Sequence, residues 1–300
     1  MDHSEPGWHL YRTLLAVLEE GSLSGGARVL GLTQPTAGRH IEMLEASLGV
    51  ALFTRSQSGL APTETALTIK PYAESLRSTT EALRRRASSA RDAMQGTVRI
   101  TAAEIVGAEI LPSILVDIRR RHPRLALELV LSDRTQDLLQ RDADIAVRMV
   151  QPTQDALVAR KIGMIELGVF AHPDYLRTHP TPTDIATLGD HDLIGFDREN
   201  AFIRRVLSTG LPIRRSMFAL RTDSNIAQLA ALRAGFGIGF CHLGLAAREP
   251  RLTRVLPAIK LELETWVVMH EDMRSNRACR AVFDGLAEGL TAYIEGAAKG

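Results

Sequence analysis

Residues 21–63 read GSLSGGARVLGLTQPTAGRHIEMLEASLGVALFTRSQSGLAPT. Ser24 is placed to cap a short helix reaching Leu30, Gly31 supplies a left-handed exit, and Thr33 caps a second helix running to about Leu48. Pro35 falls in the first turn of that second helix, where its missing N–H removes no intrahelical bond. Two capped helices one tight turn apart form a helix-turn-helix, and the stretch after Leu48 reads as its wing. On the second helix Ala37, Ile41, Leu44 and Leu48 recur at helical spacing. They are expected to face Leu15, Leu18, Leu23, Ala27 and Leu30, leaving Gln34, Thr36, Arg39 and His40 toward solvent. Gln matches adenine edges, Arg matches guanine edges or phosphate, and Thr suits phosphate or a thymine methyl. Polar residues on a helix are ordinarily just a solvated face, but this turn architecture tips the reading toward the major groove of double-stranded DNA.

Working outward, the chain turns helical from Glu64. Ile69, Ala73, Leu76, Thr80, Leu83, Ala87, Ala90 and Met94 alternate at spacings of four and three, a heptad seam able to pair two helices. Its small and polar members make the contact close but weak. A single amphipathic helix packed on its own domain fits the seam nearly as well, and the adjacent DNA-reading pattern favours a homodimer on paired half-sites. Pro71 either starts this helix or kinks one beginning at Glu64. Beyond Gln95-Gly96 the pattern becomes α/β, with segments at 97–102, 110–121, 125–131, 135–140 and 144–148. A second set of strands is expected at 167–171, 193–196, 217–220, 238–240 and 266–270. Two α/β lobes follow, with helix N-termini converging on a cleft fit for an anion or small molecule.

The N-terminal motifs resemble those of the LysR-type transcriptional regulators: Leu30, Thr33-Gln34-Pro35, Ile41, Leu44-Glu45, Leu48-Gly49, Leu52-Phe53, Arg55 and Leu60-Ala61-Pro62-Thr63. Looser matches continue through Gly96-Thr97-Val98-Arg99-Ile100, Leu111-Pro112, His122-Pro123, Asp144 to Arg148 and Gly235 to Gly239, so the resemblance spans nearly the whole chain. It implies a winged helix-turn-helix, all-α with a small β wing, at residues 6–63, and a linker and dimerisation helix at 64–94. It also implies a periplasmic-binding-protein-like effector domain of two α/β lobes at 95–300. By the same resemblance the polar face from Gln34 to Arg39 enters the major groove, while Arg55 and the 56–59 tip rest on the neighbouring backbone. The DNA-facing set is then Ser24, Thr33, Gln34, Pro35, Thr36, Arg39, His40 and Arg55. The effector cleft is expected to be lined by Thr101, Ser132, Arg148, Phe196 and Asp223, with the Thr101 and Ser132 hydroxyls foremost for holding a carboxylate such as that of a small organic acid. Arg148 reads equally well as an ion-pair partner of Asp144. The chain departs from the family pattern at Gly26 and Gly38, where Ala and Ser are usual, and each interior glycine costs about 1 kcal/mol of helix stability against Ala.

Bulk composition excludes more than it selects. The 300 residues carry a net charge of +1, and ten Lys/Arg face ten Asp/Glu within residues 1–95, which argues against sequence-blind DNA coating. Two cysteines and no long apolar run imply a reducing cytoplasm, with no membrane span. The histidines are scattered, so neither a metal site nor a catalytic constellation is expected. The Gly235–Gly239 run lacks the third glycine of a dinucleotide fingerprint, so no cofactor is expected either. The expected function is a homodimeric or homotetrameric DNA-binding regulator governed by a small-molecule effector. A cytoplasmic small-solute binder without a regulatory role, or a thiol redox sensor through Cys241, are the alternatives.

Overall fold

The computed structural model describes residues 5–56, 59–89, 94–132, 143–152, 157–199, 201–208, 213–249 and 251–297. These fall into two compact units that divide near residue 86. The first begins with helices α1 (Trp8–Glu20), α2 (Leu23–Leu30) and α3 (Gln34–Leu48), each leaving through a left-handed glycine: Gly21, Gly31 and Gly49. At these positive φ angles a Cβ is strained, so the three glycines punctuate the domain. Strands β1 (Phe53–Ser56) and β2 (Gly59–Pro62) pair antiparallel as the wing, with Phe53 opposite Pro62. Helix α4 then runs Glu64–Ser89 with Pro71 inside it, so the helix starts before the proline.

The core of this unit joins Leu10, Leu14 and Val17 of α1 to Ile41 and Leu44 of α3, Leu52 and Ala66. Each such buried Leu, Ile or Val side chain contributes about 1.5–3 kcal/mol relative to exposure. Two motif residues tie the wing to the helices. The Glu45 carboxylate accepts from the Leu52 and Phe53 amides at 2.6 and 3.1 Å. Thr63 donates to the Ala51 carbonyl at 2.9 Å and accepts from the Ala66 amide at 3.2 Å, capping α4. The heptad seam is divided. Ala73 is buried and Ile69 packs on the core of its own unit, while Leu76 and Leu83 are exposed. Residues 90–93 of the seam lie outside the described residues.

The second unit holds a sheet in the order β4-β3-β5-β11-β6-β9-β7-β8. Its first lobe is a parallel set, β4 (Leu125–Leu131), β3 (Gly96–Ala102) and β5 (Ile145–Arg148), with α5 (Leu111–Arg121) connecting β3 to β4. Its second lobe repeats that order with β8 (Phe218–Arg221), β7 (Leu193–Gly195) and β9 (Ile238–His242). Helices α6 (Pro173–Leu176), α7 (Ala201–Ser208), α8 (Asn225–Arg233) and α9 (Leu243–Ala246) serve this second lobe. Between the lobes run two long antiparallel strands, β6 (Leu157–Ala171) and β11 (Leu261–His270), with β10 (Thr253–Val255) alongside β6. Helix α10 (Arg277–Ala297) packs across the lobe boundary on α5, β6 and α9. The sequence pattern catches only 167–171 of β6 and 266–270 of β11, so the two lobes are less separate than expected: both strands belong to both. The helical segment expected at 135–140 lies outside the described residues.

Among the glycines of 235–239, Gly235 has φ +77°, and a Cβ on Gly237 would lie 1.9 Å from the Asp192 carbonyl oxygen. Close backbone approach and a sharp turn between α8 and β9 account for them. Among the described residues no helix is long and apolar enough to cross a membrane.

Candidate functional site

The first candidate surface is the outer face of α3. Thr33 has extended backbone, and its hydroxyl accepts from the Thr36 amide at 3.4 Å and lies 2.8 Å from the Thr36 hydroxyl. Ala37, Ile41 and Leu44 turn inward, which points Gln34, Pro35 and Arg39 outward as exposed residues with Thr36 half-buried beside them. Leu48, expected inward, is 37% exposed, at the end of α3, while Leu52 beyond it is buried in the core. The cap of α2 is Ser22 rather than Ser24. Ser22 has the extended backbone a cap needs and accepts from the Gly25 amide at 3.1 Å, while Ser24 lies in the helix's first turn and is exposed.

His40 also departs from its expected place toward solvent. Its Nδ1 lies 2.9 Å from the Thr13 hydroxyl and its ring meets His9 edge-on at 5.1 Å, half-burying it between α1 and α3. Burial, aided by the neighbouring His9, pushes its pKa below the usual histidine value. Arg55 lies in β1 opposite Leu60; its side chain and residues 57–58 at the wing tip lie outside the described part.

The second candidate site lies where the carboxyl ends of the two parallel sets meet. In each set the first strand lies between the other two, so its carboxyl end is a topological switch point, the usual place for a ligand crevice. Thr101 and Arg148 come together there, on adjacent strands and one sheet face: the Arg148 Nη2 donates to the Thr101 hydroxyl at 3.0 Å and its Nη1 to the Val147 carbonyl at 3.2 Å. Both are buried, Thr101 to 1% exposure and Arg148 to 6%. The Asp144 carboxylate accepts from the Arg99 amide at 2.8 Å. Ser132 is half-buried past the end of β4, its amide bonded to the Ala102 carbonyl.

In the second lobe Phe196, just past β7, is buried against Phe202, with ring centroids 5.7 Å apart, and Phe202 meets Phe240 edge-on. Asp223, just past β8, ties down the loop after β7 by accepting from the Asp197 and Arg198 amides at 3.1 and 2.9 Å. The expected lining residues thus divide: Thr101 and Arg148 form one cluster in the first lobe, while Phe196 and Asp223 lie in the second. Sequence reasoning passed over Glu104, just beyond β3, whose Oε2 accepts from the Asn225 amide at 2.7 Å and the Ser224 hydroxyl at 3.3 Å. No spacing rule links positions 120 residues apart; only the fold brings them together.

Cys241 is buried, which pushes its thiol up to about 12, so almost no thiolate exists near neutral pH and the redox alternative loses its nucleophile. His242 beside it is wholly buried, and burial lowers its pKa to about 4.

Comparison with known proteins identifies both parts of the chain. The model described as "Bacterial regulatory helix-turn-helix protein, lysR family" matches residues 8–67, and the "LysR substrate binding domain" matches residues 91–291. The HTH-type transcriptional activator TtdR of Escherichia coli (strain K12) is 24% identical over 282 residues, covering 92% of this chain and 91% of that protein. Among solved structures, CrgA of Neisseria meningitidis, a LysR-type transcriptional regulator, aligns with TM-score 0.57 and 22% identity over 96% of this chain and 98% of that one. CbnR, a LysR family transcriptional regulator, aligns with TM-score 0.69 and 18% identity over 96% and 99%.

Proposed function

Because this chain belongs to the LysR family of DNA-binding transcriptional regulators with an effector-binding domain, and is no enzyme, we propose which of its residues read DNA and which sense the effector. The exposed face of α3 carries the reading: Gln34 and Arg39 meet base edges in the major groove, and Thr33, Thr36 and Ser24 meet the flanking phosphates. Pro35 shapes the entry of the helix, and the Arg55 wing follows the neighbouring backbone. His40 holds α3 to α1 and orients the reading face without contacting DNA itself.

The effector is a small organic acid held in the crevice between the parallel sets. The buried Arg148 guanidinium, oriented by Thr101 at the carboxyl edge of β3 and β5, supports this choice, since a cation at a switch point favours a carboxylate. Ser132 supplies a further hydroxyl, and Phe196 with the Asp223-braced loop forms the opposite wall. Two chains pair through α4 and place two reading heads on paired half-sites. The effector shifts the balance between lobe arrangements by binding one of them better.

The observation that carries this reading is the division of α3 into a buried apolar face and an exposed Gln-Thr-Arg face on a capped helix. Footprinting of the purified protein on DNA upstream of its own gene, across a salt series, tests it. Paired protected half-sites with affinity falling steeply as salt rises are expected. Arg39→Ala is expected to cost about 1–3 kcal/mol and relax preference at one base position. A uniform loss on all sequences would make Arg39 a phosphate contact instead.

A further inference from the structure

We propose that Glu104 and Glu109 form a two-point clasp by which the first lobe of the effector domain grips both ends of helix α8 in the second lobe and holds the two lobes together. At the start of α8 the Glu104 carboxylate accepts from the Asn225 amide and the Ser224 hydroxyl, at 2.7 and 3.3 Å. The first turn of a helix has amides with no partner of its own and the positive end of the dipole, so a carboxylate is a matched cap, here supplied from the other lobe. At the end of α8, Arg233 makes a two-pronged pair with Glu109, Nη1 to Oε1 at 2.9 Å and Nη2 to Oε2 at 2.7 Å, and also reaches Glu249 at 2.8 Å. Arg233 lowers the Glu109 pKa through these hydrogen bonds, so the carboxylate is charged throughout the physiological range.

The local winding of the first lobe makes this possible. Residues 106–110 form a π-helix, in which the Leu111 amide reaches back five residues to Val106. An α-helix sets residues five apart about 140° from one another around its axis, whereas i→i+5 winding brings them toward one side. Glu104 and Glu109 therefore both face α8. In the same domain, the β6–β11 ribbon slips register between Thr265 and Trp266, opposite Gly163 and Lys161, leaving Ile162 as the extra residue. Such a bulge is where paired strands bend. A clasp between the lobes and a bend point in the strands that run between them are the parts of a hinged closure, and opening it requires release of both carboxylates.

This inference goes beyond the effector reading and is tested without any small molecule or DNA, so its failure leaves that reading intact. Spin labels at Val116→Cys on α5 and Leu207→Cys on α7 occupy exposed sites on the two lobes, while Cys241 and Cys279 are buried from the reagent. Distances are read in full-length chains diluted with unlabelled protein. The clasped protein is expected to give one narrow distribution, and Glu104→Gln with Glu109→Gln a broader one extending to longer distances; identical distributions would overturn the clasp. Should the double variant not fold, Glu109→Gln alone is measured in the same way, with the same two outcomes. Amide exchange supplies an independent reading. Glu104→Gln is expected to speed exchange at Asn225 at least about tenfold while leaving the α8 centre unchanged, and an equal rate at Asn225 would remove Glu104 from the clasp.

Discussion

Gly26 and Gly38 are both interior helix glycines in the reading head, and a methyl group separates them. A Cβ on Gly26 would lie 2.8 Å from the Val17 side chain and 2.9 Å from the Val17 amide nitrogen, because α2 crosses α1 there almost backbone to backbone; around Gly38 nothing lies within 4 Å. Gly38→Ala is therefore expected to stabilise the head by about 1 kcal/mol, while Gly26→Ala costs about 1–3 kcal/mol through overpacking. Urea unfolding of the two variants reads the sign directly, and equal shifts would contradict the close crossing. His40 sets a pH dependence at the same scale. Its folded pKa lies below the unfolded value of 6.5, so the unfolded chain binds the proton more readily. Stability is full above that value and falls as pH drops through it toward the lowered folded pKa. Melting of the head between pH 7.5 and about 5 is expected to show this decline, and His40→Gln to flatten it; an unchanged slope in the variant would clear His40 of the effect.

At the scale of elements, α4 does two jobs along one seam. Its first turns belong to the head, where Ala66, Ile69 and Ala73 pack, and further along Leu76 and Leu83 stand 46% and 60% exposed, seven residues apart. On the proposed pairing through α4, these two exposed leucines at heptad spacing are the part of the seam that a partner chain would cover. Leu76→Glu with Leu83→Glu is expected to weaken self-association by at least about tenfold, equivalent to 1.4 kcal/mol, in sedimentation equilibrium. An unchanged mass distribution would place the dimer contact elsewhere. The strands β6 and β11 carry the opposite lesson. Their unrecognised halves contain Arg160, Lys161 and Gly163 in one and Glu262 and Glu264 in the other, and Lys161 pairs with Glu264 at 2.7 Å across the ribbon. Charges that look like loop when read along the chain are cross-strand partners in the sheet.

At the scale of the whole effector domain, the two parallel sets belong to one continuous sheet through β6 and β11, and the proposed effector site lies at the carboxyl edge of the first set. Thr101 is the residue to probe there. Thr101→Val keeps the shape and removes the hydroxyl that receives the Arg148 guanidinium. The variant is expected to lose its response to effector in a promoter-reporter assay while its footprint on DNA stays intact. Induction equal to that of the parent chain would take Thr101 out of the site, and loss of the footprint would show a folding defect instead.

The helix-turn-helix was legible because its signals are local: caps, left-handed glycines and helical periodicity act within a few residues of one another. Glu45 and Thr63 stood out as motif letters, and the structure supplies their reason in the turn and cap they hold. Even locally, two serines two residues apart shared the capping chemistry, and backbone geometry chose Ser22 over Ser24. The α/β character of the second unit was also readable from alternating apolar runs. Tertiary structure alone decided the fate of His40, drawn inward by a hydroxyl 27 positions earlier, and the continuity of the sheet through β6 and β11. It alone brought Glu104 to Asn225 and Glu109 to Arg233, at separations of 121 and 124 residues. Sequence patterns report which face of an element is buried, because burial repeats with the element's own period. Which polar groups meet across that burial depends on where distant elements cross, and no local period encodes it.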